Sequence, residues 1–176
     1  ALRRNDLPAA ESNLRKAIAA HPKDWLVTYR LGVFLSDRGL KDEAEDLLRK
    51  AITLSESKEP APHRAMAQLY LSRGEPTAAL IEAHRALALE KSAINAHIVG
   101  KAYFEVEQID TAAQYFRRAV LADPNFWQAR GGMGLIYIEQ GDWTRCVEAF
   151  EQILLIAPNN QPAKENLALC KGELEK

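Results

Sequence analysis

The sequence predicts an all-α fold, a solenoid of successive antiparallel helix pairs, because the chain repeats itself about every 34 residues. Small residues mark the period in the first half of each unit, at intervals of 35, 33 and 34 residues: Gly32, Ala67, Gly100 and Gly134. A second series marks it in the second half of each unit, at intervals of 34, 35, 33 and 34: Ala10, Ala44, Ala79, Ala112 and Cys146. Two series with one period indicate stacked two-helix units instead of one globular core.

The residues around each small residue lie at helical spacing. An apolar residue precedes the small residue of the first series and a large one follows it by three positions, as in Leu31, Gly32 and Leu35. In the second series a large residue stands four positions after the small one, as Phe116 follows Ala112. These offsets share one helix face. A small residue on one helix leaves room for a large side chain of its neighbour, so each unit is expected to be a closely packed helix pair.

This pattern resembles the tetratricopeptide repeat, whose 34-residue signature runs W-x2-L-G-x2-Y, then A-x3-F, then a closing proline. The closing position holds Pro22, Pro124 and Pro158, whereas Glu56 and Lys91 replace proline at the other two junctions. The resemblance covers nearly the whole chain. It implies a right-handed superhelical solenoid whose first helices line a concave groove that binds proteins or peptides.

Aligning the units predicts ten helices, at residues 8–20, 25–37, 41–54, 60–72, 76–89, 93–106, 109–121, 127–139, 143–156 and 161–174. Glycines are expected to end first helices at Gly39, Gly74 and Gly141, and Asp142 to cap the helix after it. The predicted organisation is a partial repeat at 1–24, four full repeats at 25–59, 60–92, 93–126 and 127–160, and a polar capping helix at 161–176.

Composition excludes several classes of function. Lysine plus arginine number 23 against 24 aspartate plus glutamate, which argues against a nucleic-acid partner. The longest apolar run, residues 153–157, is too short to cross a membrane, so we expect no membrane insertion. The compartment is left open: a soluble chain is expected, in the cytoplasm in preference to the periplasm.

The sequence contains no recognisable catalytic or metal-binding arrangement. The four histidines never pair at a spacing of three or four, so no metal and no cofactor is predicted. The glycines of residues 131–134 fall inside a predicted helix and cannot form a phosphate loop. The chain is therefore predicted not to be an enzyme. Cys146 and Cys170 are expected to be buried or unpaired thiols that pack as small apolar side chains, in preference to a disulfide or a redox role.

The register of the first helices predicts which side chains face the groove: Tyr29, Val33, Arg64, Gln68, His97, Lys101, Phe104, Gly131, Leu135 and Ile138. Arg64, His97 and Lys101 would bring positive charge that could hold a peptide carboxylate. For Phe104 and Ile138 packing between adjacent first helices is favoured over a role in binding. Gly131 either leaves a notch for a ligand side chain or allows close approach of a neighbouring helix, and the sequence leaves both readings open.

The function predicted from these features is a protein-interaction scaffold that binds a peptide or helical segment of a partner in the groove, without catalysis. The chain begins inside a repeat, so the first helix is expected to lack a cap and to leave Leu7, Leu14 and Ile18 partly uncovered. The alternative is therefore a structural element that forms homo-oligomers through this end.

Overall fold

The structure is a computed structural model that describes residues 6–176 and divides into two compact units, the first ending at Leu89 and the second beginning at Glu90. The described residues form ten α-helices and no strand. The first unit contains α1 (Leu7–Ala20), α2 (Trp25–Asp37), α3 (Lys41–Leu54), α4 (Pro60–Arg73) and α5 (Pro76–Leu89). The second contains α6 (Ala93–Glu105), α7 (Ile109–Ala122), α8 (Trp127–Glu139), α9 (Trp143–Ile156) and α10 (Gln161–Leu174).

Within each unit, helices that follow one another in the chain pack side by side. In the first unit α2 packs on α3 and α4 on α5, and in the second α6 packs on α7 and α8 on α9. Short connections between them make each pair antiparallel. Each helix bound lies within one residue of its prediction. The predicted all-α solenoid of helix pairs is confirmed, while the division into repeats stays a prediction.

The predicted packing of small against large residues occurs in three helix pairs. A β-carbon on Gly32 would stand 3.0 Å from Leu48 Cγ, one on Gly100 2.7 Å from Phe116 Cδ1, and one on Gly134 2.7 Å from Phe150 Cζ. Each of the three large side chains is fully buried on the second helix of the pair. The glycines therefore let the paired backbones approach closely.

The first helices of the four pairs, α2, α4, α6 and α8, are each followed by a residue with positive φ, and three of these residues are the predicted glycines. Gly39, Gly74 and Gly141 have φ values of 80°, 73° and 66°, the left-handed conformation that ends a helix. At the fourth position Glu107 adopts φ 60° without being a glycine. Asp142 caps α9 as predicted, because its carboxylate accepts a hydrogen bond from the Arg145 backbone N–H at 3.1 Å.

The prediction of unpaired cysteines is wrong. Cys146 on α9 and Cys170 on α10 form a disulfide, with their Cα atoms 5.9 Å apart. Both residues are fully buried in one apolar cluster with Phe150, Ile153 and Ala163. The sequence favours small packing residues over a disulfide, because the repeat pattern does not show that α9 and α10 bring the two cysteines together. The terminal helix is thus covalently joined to the helix before it.

Candidate functional site

A cavity of about 290 Å³ lies in the second unit, between α6, α8 and the start of α10. Five of the ten predicted groove residues line it: His97, Lys101, Phe104, Gly131 and Leu135. Its walls include Phe116, Phe150 and Ile153, which are 3%, 2% and 1% exposed and belong to the core. The cavity therefore combines an apolar floor with polar side chains from α6, α8 and the α10 side.

Residues Gly131 and Gly132 have different roles although they are adjacent. A β-carbon on Gly132 would stand 2.6 Å from two ring atoms of Phe116, so only glycine fits there. A β-carbon on Gly131 would meet only Ile153 Cδ1, at 3.8 Å, an ordinary contact. Close packing is therefore the role of Gly132, and Gly131 faces the cavity, where its missing side chain leaves space.

The imidazole of His97 lies in this site against aromatic side chains. Its ring lies 5.5 Å from that of Phe116 and 5.4 Å from that of Phe126. Burial, together with the positive charge of Lys101, lowers the pKa of His97 from 6.5 to about 4. His97 is therefore neutral at pH 7, which corrects the prediction that it adds positive charge to the groove.

The Nδ1 atom of His97 is buried and has no hydrogen-bond partner within residues 6–176. A neutral imidazole carries one donor and one acceptor nitrogen. A buried polar atom without a partner costs free energy that a hydrogen bond from a ligand would recover. The atom thus marks where a bound polar group would be stabilised.

The polar rim of the cavity comes from both ends of the second unit. Lys101 and Glu105 are exposed on α6, and Asn160 and Asn166 approach from the α10 side. Asn160 also caps α10, because its Oδ1 accepts a hydrogen bond from the Ala163 backbone N–H at 3.0 Å. One cation and one anion balance each other here, so net charge does not select the ligand.

Sequence reasoning missed the cavity residues of α10 because it assigned that helix only a capping role. Pro162 stands 34 residues after Gln128, and both line the cavity. The 34-residue period therefore places Pro162 on α10 at the position that Gln128 holds on α8. Trp127, 36% exposed at the start of α8, also lines the cavity and was not singled out.

Two of the predicted groove residues take part in packing. Phe104 lines the cavity and also packs against the buried cluster around Phe116. Ile138 is half-buried against the cluster around the disulfide. Both side chains therefore make packing contacts between helices, as one of the two interpretations of the sequence expects.

The remaining four predicted residues lie in the first unit, on α2 and α4, which contact each other. Tyr29 is half-buried with its ring 6.3 Å from that of Trp25, and Val33 is half-buried one turn further along α2. Arg64 is half-buried on α4, and Gln68 is exposed. Their role in binding stays a prediction.

Residues 6–176 contain no candidate metal site and no candidate membrane span. No group of three His, Cys, Asp or Glu side chains is arranged to hold a metal ion there. Within the same range no helix combines the length and the apolar character needed to cross a membrane.

Comparison with known proteins gives one curated relative and several structural neighbours. The uncharacterized protein ycf37 of Guillardia theta is 29% identical over 76 residues, which are 43% of this chain and 43% of that protein. The match thus spans less than half the length of the relative. The crystal structure of PilW, a type IV pilus biogenesis factor, superposes with a TM-score of 0.85 at 17% identity, covering 97% of this chain and 81% of that one.

A further structural neighbour is YrrB, described as a TPR protein with an unusual peptide-binding site. It superposes with a TM-score of 0.69 at 20% identity, covering 92% of this chain and 84% of its own. At these identities the likeness shows a shared fold. Two models of the tetratricopeptide repeat family match residues 1–59 and 103–170, which together are more than half of the chain. With ten helices in the described range that pair as such repeats do, the chain belongs to the tetratricopeptide repeat family.

Proposed function

We propose that this protein is an interaction scaffold that holds a peptide or helical segment of a partner protein in the cavity between α6, α8 and α10, without chemistry of its own. The observation that carries the proposal is the unpartnered Nδ1 atom of His97 beside an apolar floor. An apolar pocket with a few oriented polar groups is the usual form of a ligand site.

The dimensions and lining of the cavity suit one or two side chains of a bound segment. An apolar side chain of the segment would contact Phe116 and Phe150 and enter the space beside Gly131. A polar group next to it, from a side chain or the backbone, would complete the hydrogen bonding of His97. Lys101 and Glu105 at the rim would then orient the segment along the cavity.

The comparisons support a binding function of this general kind. The family consists of protein-interaction modules, and YrrB is described as having a peptide-binding site. Neither the family nor YrrB identifies a partner for this chain. The proposal therefore rests on the lining of the cavity in the second unit.

The test uses a phage-displayed random peptide library selected on the intact protein, followed by affinity measurements with the selected peptides. Gly131→Leu should lower their affinity at least tenfold, because the new side chain occupies the cavity. Gly172→Leu is the matched control, since Gly172 lies in α10 with nothing within 4 Å of an added β-carbon. Equal affinity for both variants, or a selection that yields no binding peptide, would contradict the proposal.

The predicted groove residues of the first unit extend the same proposal. Tyr29→Ala, Val33→Ala, Arg64→Glu and Gln68→Ala are each measured with the selected peptides. A loss of affinity in any of them assigns that residue to the binding surface. Unchanged affinity in all four would confine binding to the second unit.

Self-assembly through α1 is the second proposed function. No residue of α1 is fully buried, and Leu14 and Ile18 are only half-buried. Sedimentation equilibrium measures the mass over a range of concentrations. Association that disappears in a Leu14→Ser/Ile18→Ser variant would support this function, and a strictly monomeric mass at the highest concentration would exclude it.

A further inference from the structure

We propose that the second unit carries a second binding cavity that accepts an acidic peptide segment with a large apolar side chain. This second cavity, of about 390 Å³, lies between α7, α8 and α9. Helix α8 contributes to both cavities: Arg130, Met133 and Tyr137 line the second, and Gly131 and Leu135 line the first. Residues two positions apart point to nearly opposite sides of a helix, so the two cavities lie on opposite faces of α8.

The floor of the second cavity is apolar. It is formed by Val120, Met133, Tyr137 and Ala149. Leu121 at the edge is 84% exposed, the largest exposed fraction among the large hydrophobic side chains of the described residues. An apolar side chain placed on this floor would cover Leu121 and remove apolar surface from water.

Three arginines surround this floor, and they differ in how far their charge is neutralised. The Arg145 guanidinium lies 4.9 Å from the centre of the Tyr137 ring and is paired with the Asp142 carboxylate. Arg130 donates two hydrogen bonds to the Pro124 carbonyl oxygen, at 3.3 and 3.1 Å, which leave its charge uncompensated. The Arg117 side chain has no hydrogen bond or ion pair within residues 6–176.

The charge of the second cavity selects an anionic occupant. Glu148 is the one carboxylate that lines it, against the uncompensated guanidinium groups of Arg117 and Arg130. Guanidinium groups bind carboxylates through paired hydrogen bonds and remain protonated at any physiological pH. The first cavity has a neutral His97 and a balanced Lys101 and Glu105, so the two cavities are suited to different segments. This inference is independent of the function proposed for the first cavity.

A peptide is favoured over a nucleic acid because the basic groups surround an apolar floor. Nucleic-acid sites consist of extended basic surfaces, and the formal net charge of this chain is −1. In a peptide, a glutamate or aspartate can pair with the arginines while a neighbouring leucine or phenylalanine packs on the apolar floor.

The test measures fluorescence anisotropy of a labelled short peptide of alternating Glu and Leu, titrated with the intact protein. Arg117→Glu should weaken binding at least tenfold. Arg118→Glu is the matched control, because Arg118 is an exposed neighbour on α7 that does not line the cavity. This control should change the affinity less than twofold, as should Gly131→Leu in the first cavity.

Two further measurements complete the test. The same peptide with Gln in place of Glu should bind at least tenfold more weakly, and Leu121→Ser should also weaken binding. Absence of binding at millimolar peptide, equal losses for Arg117→Glu and Arg118→Glu, or loss of binding in Gly131→Leu would each overturn the proposal. Tighter binding of a labelled single-stranded RNA, with the same dependence on Arg117, would overturn it in favour of a nucleic-acid ligand.

Discussion

The ring of Phe116 lies directly against Gly132, with two of its atoms 2.6 Å from where a β-carbon on that glycine would stand. The same ring is 2.7 Å from the equivalent point at Gly100. Phe116 thus contacts a glycine of α6 and a glycine of α8, and it forms part of the floor of the first cavity. The close packing of three helices and the shape of the site depend on the same ring.

We predict that Gly132→Ala lowers the free energy of unfolding by about 1–3 kcal/mol. The added methyl group overlaps Phe116, which is 3% exposed and also closely approached by Gly100, so the ring has to shift within a packed core. Urea denaturation measures the change.

Gly131→Ala and Gly172→Ala are the controls for this prediction. Both are helical positions with room for a β-carbon, and alanine is favoured over glycine inside a helix by about 1 kcal/mol. Both substitutions should leave stability unchanged or raise it. A Gly132→Ala variant as stable as these two would show that the ring does relax.

The stability of the protein should depend on the protonation of His97. Because the pKa of His97 is lowered from 6.5 to about 4, the folded state resists protonation that the unfolded state accepts. Above pH 6.5 the histidine is neutral in both states and costs no stability. As the pH falls from 6.5 towards 4, the unfolded state binds a proton that the folded state does not, and the free energy of unfolding decreases by about 3 kcal/mol over the whole window.

The measurement compares the free energy of unfolding of wild type and His97→Phe at several pH values between 7 and 4. Carboxylates titrate in both proteins, so the difference between the two curves isolates His97. That difference should grow in favour of His97→Phe as the pH falls. Parallel curves would mean that His97 protonates as easily in the folded state as in the unfolded state.

Removing the disulfide should destabilise the second unit. The bond closes a loop across a sequence separation of 24, for which chain entropy predicts a contribution of about 3 kcal/mol. Cys146→Ala/Cys170→Ala should therefore unfold at lower urea than oxidised wild type. Dithiothreitol should lower the stability of wild type and leave the double variant unchanged. Free thiols in the untreated wild-type protein, detected with Ellman's reagent, would contradict the pairing.

Glu107→Gly should stabilise the protein by up to about 1 kcal/mol. Glu107 holds φ 60° at the end of α6, where the equivalent positions of three other helices are glycines. A side chain in the left-handed region is strained, and glycine relieves the strain. Thermal unfolding measures the gain. Glu107→Ala keeps the β-carbon and should show no comparable increase, so equal melting temperatures for both variants would argue against the strain.

Much of the cavity could be predicted because one helical register runs through the first helices. His97 and Gly131 stand 34 residues apart, as do Lys101 and Leu135, and all four line the same cavity. The register could not distinguish the roles of Gly131 and Gly132, because that difference depends on where the Phe116 ring lies. It also could not show that His97 is neutral, since the rings packed against it come from α7, which holds Phe116, and from the N-cap of α8, which is Phe126.

The helices, their pairing and the family follow from the sequence, because a 34-residue period with small residues at helical spacing permits only local packing of each helix on its neighbours. The three-dimensional arrangement was needed to show which side chains share a cavity, that α10 forms one of its walls, and that Cys146 and Cys170 are bonded. The physical reason is that burial, pKa and covalent pairing depend on distances between atoms of different helices, which a one-dimensional period does not contain.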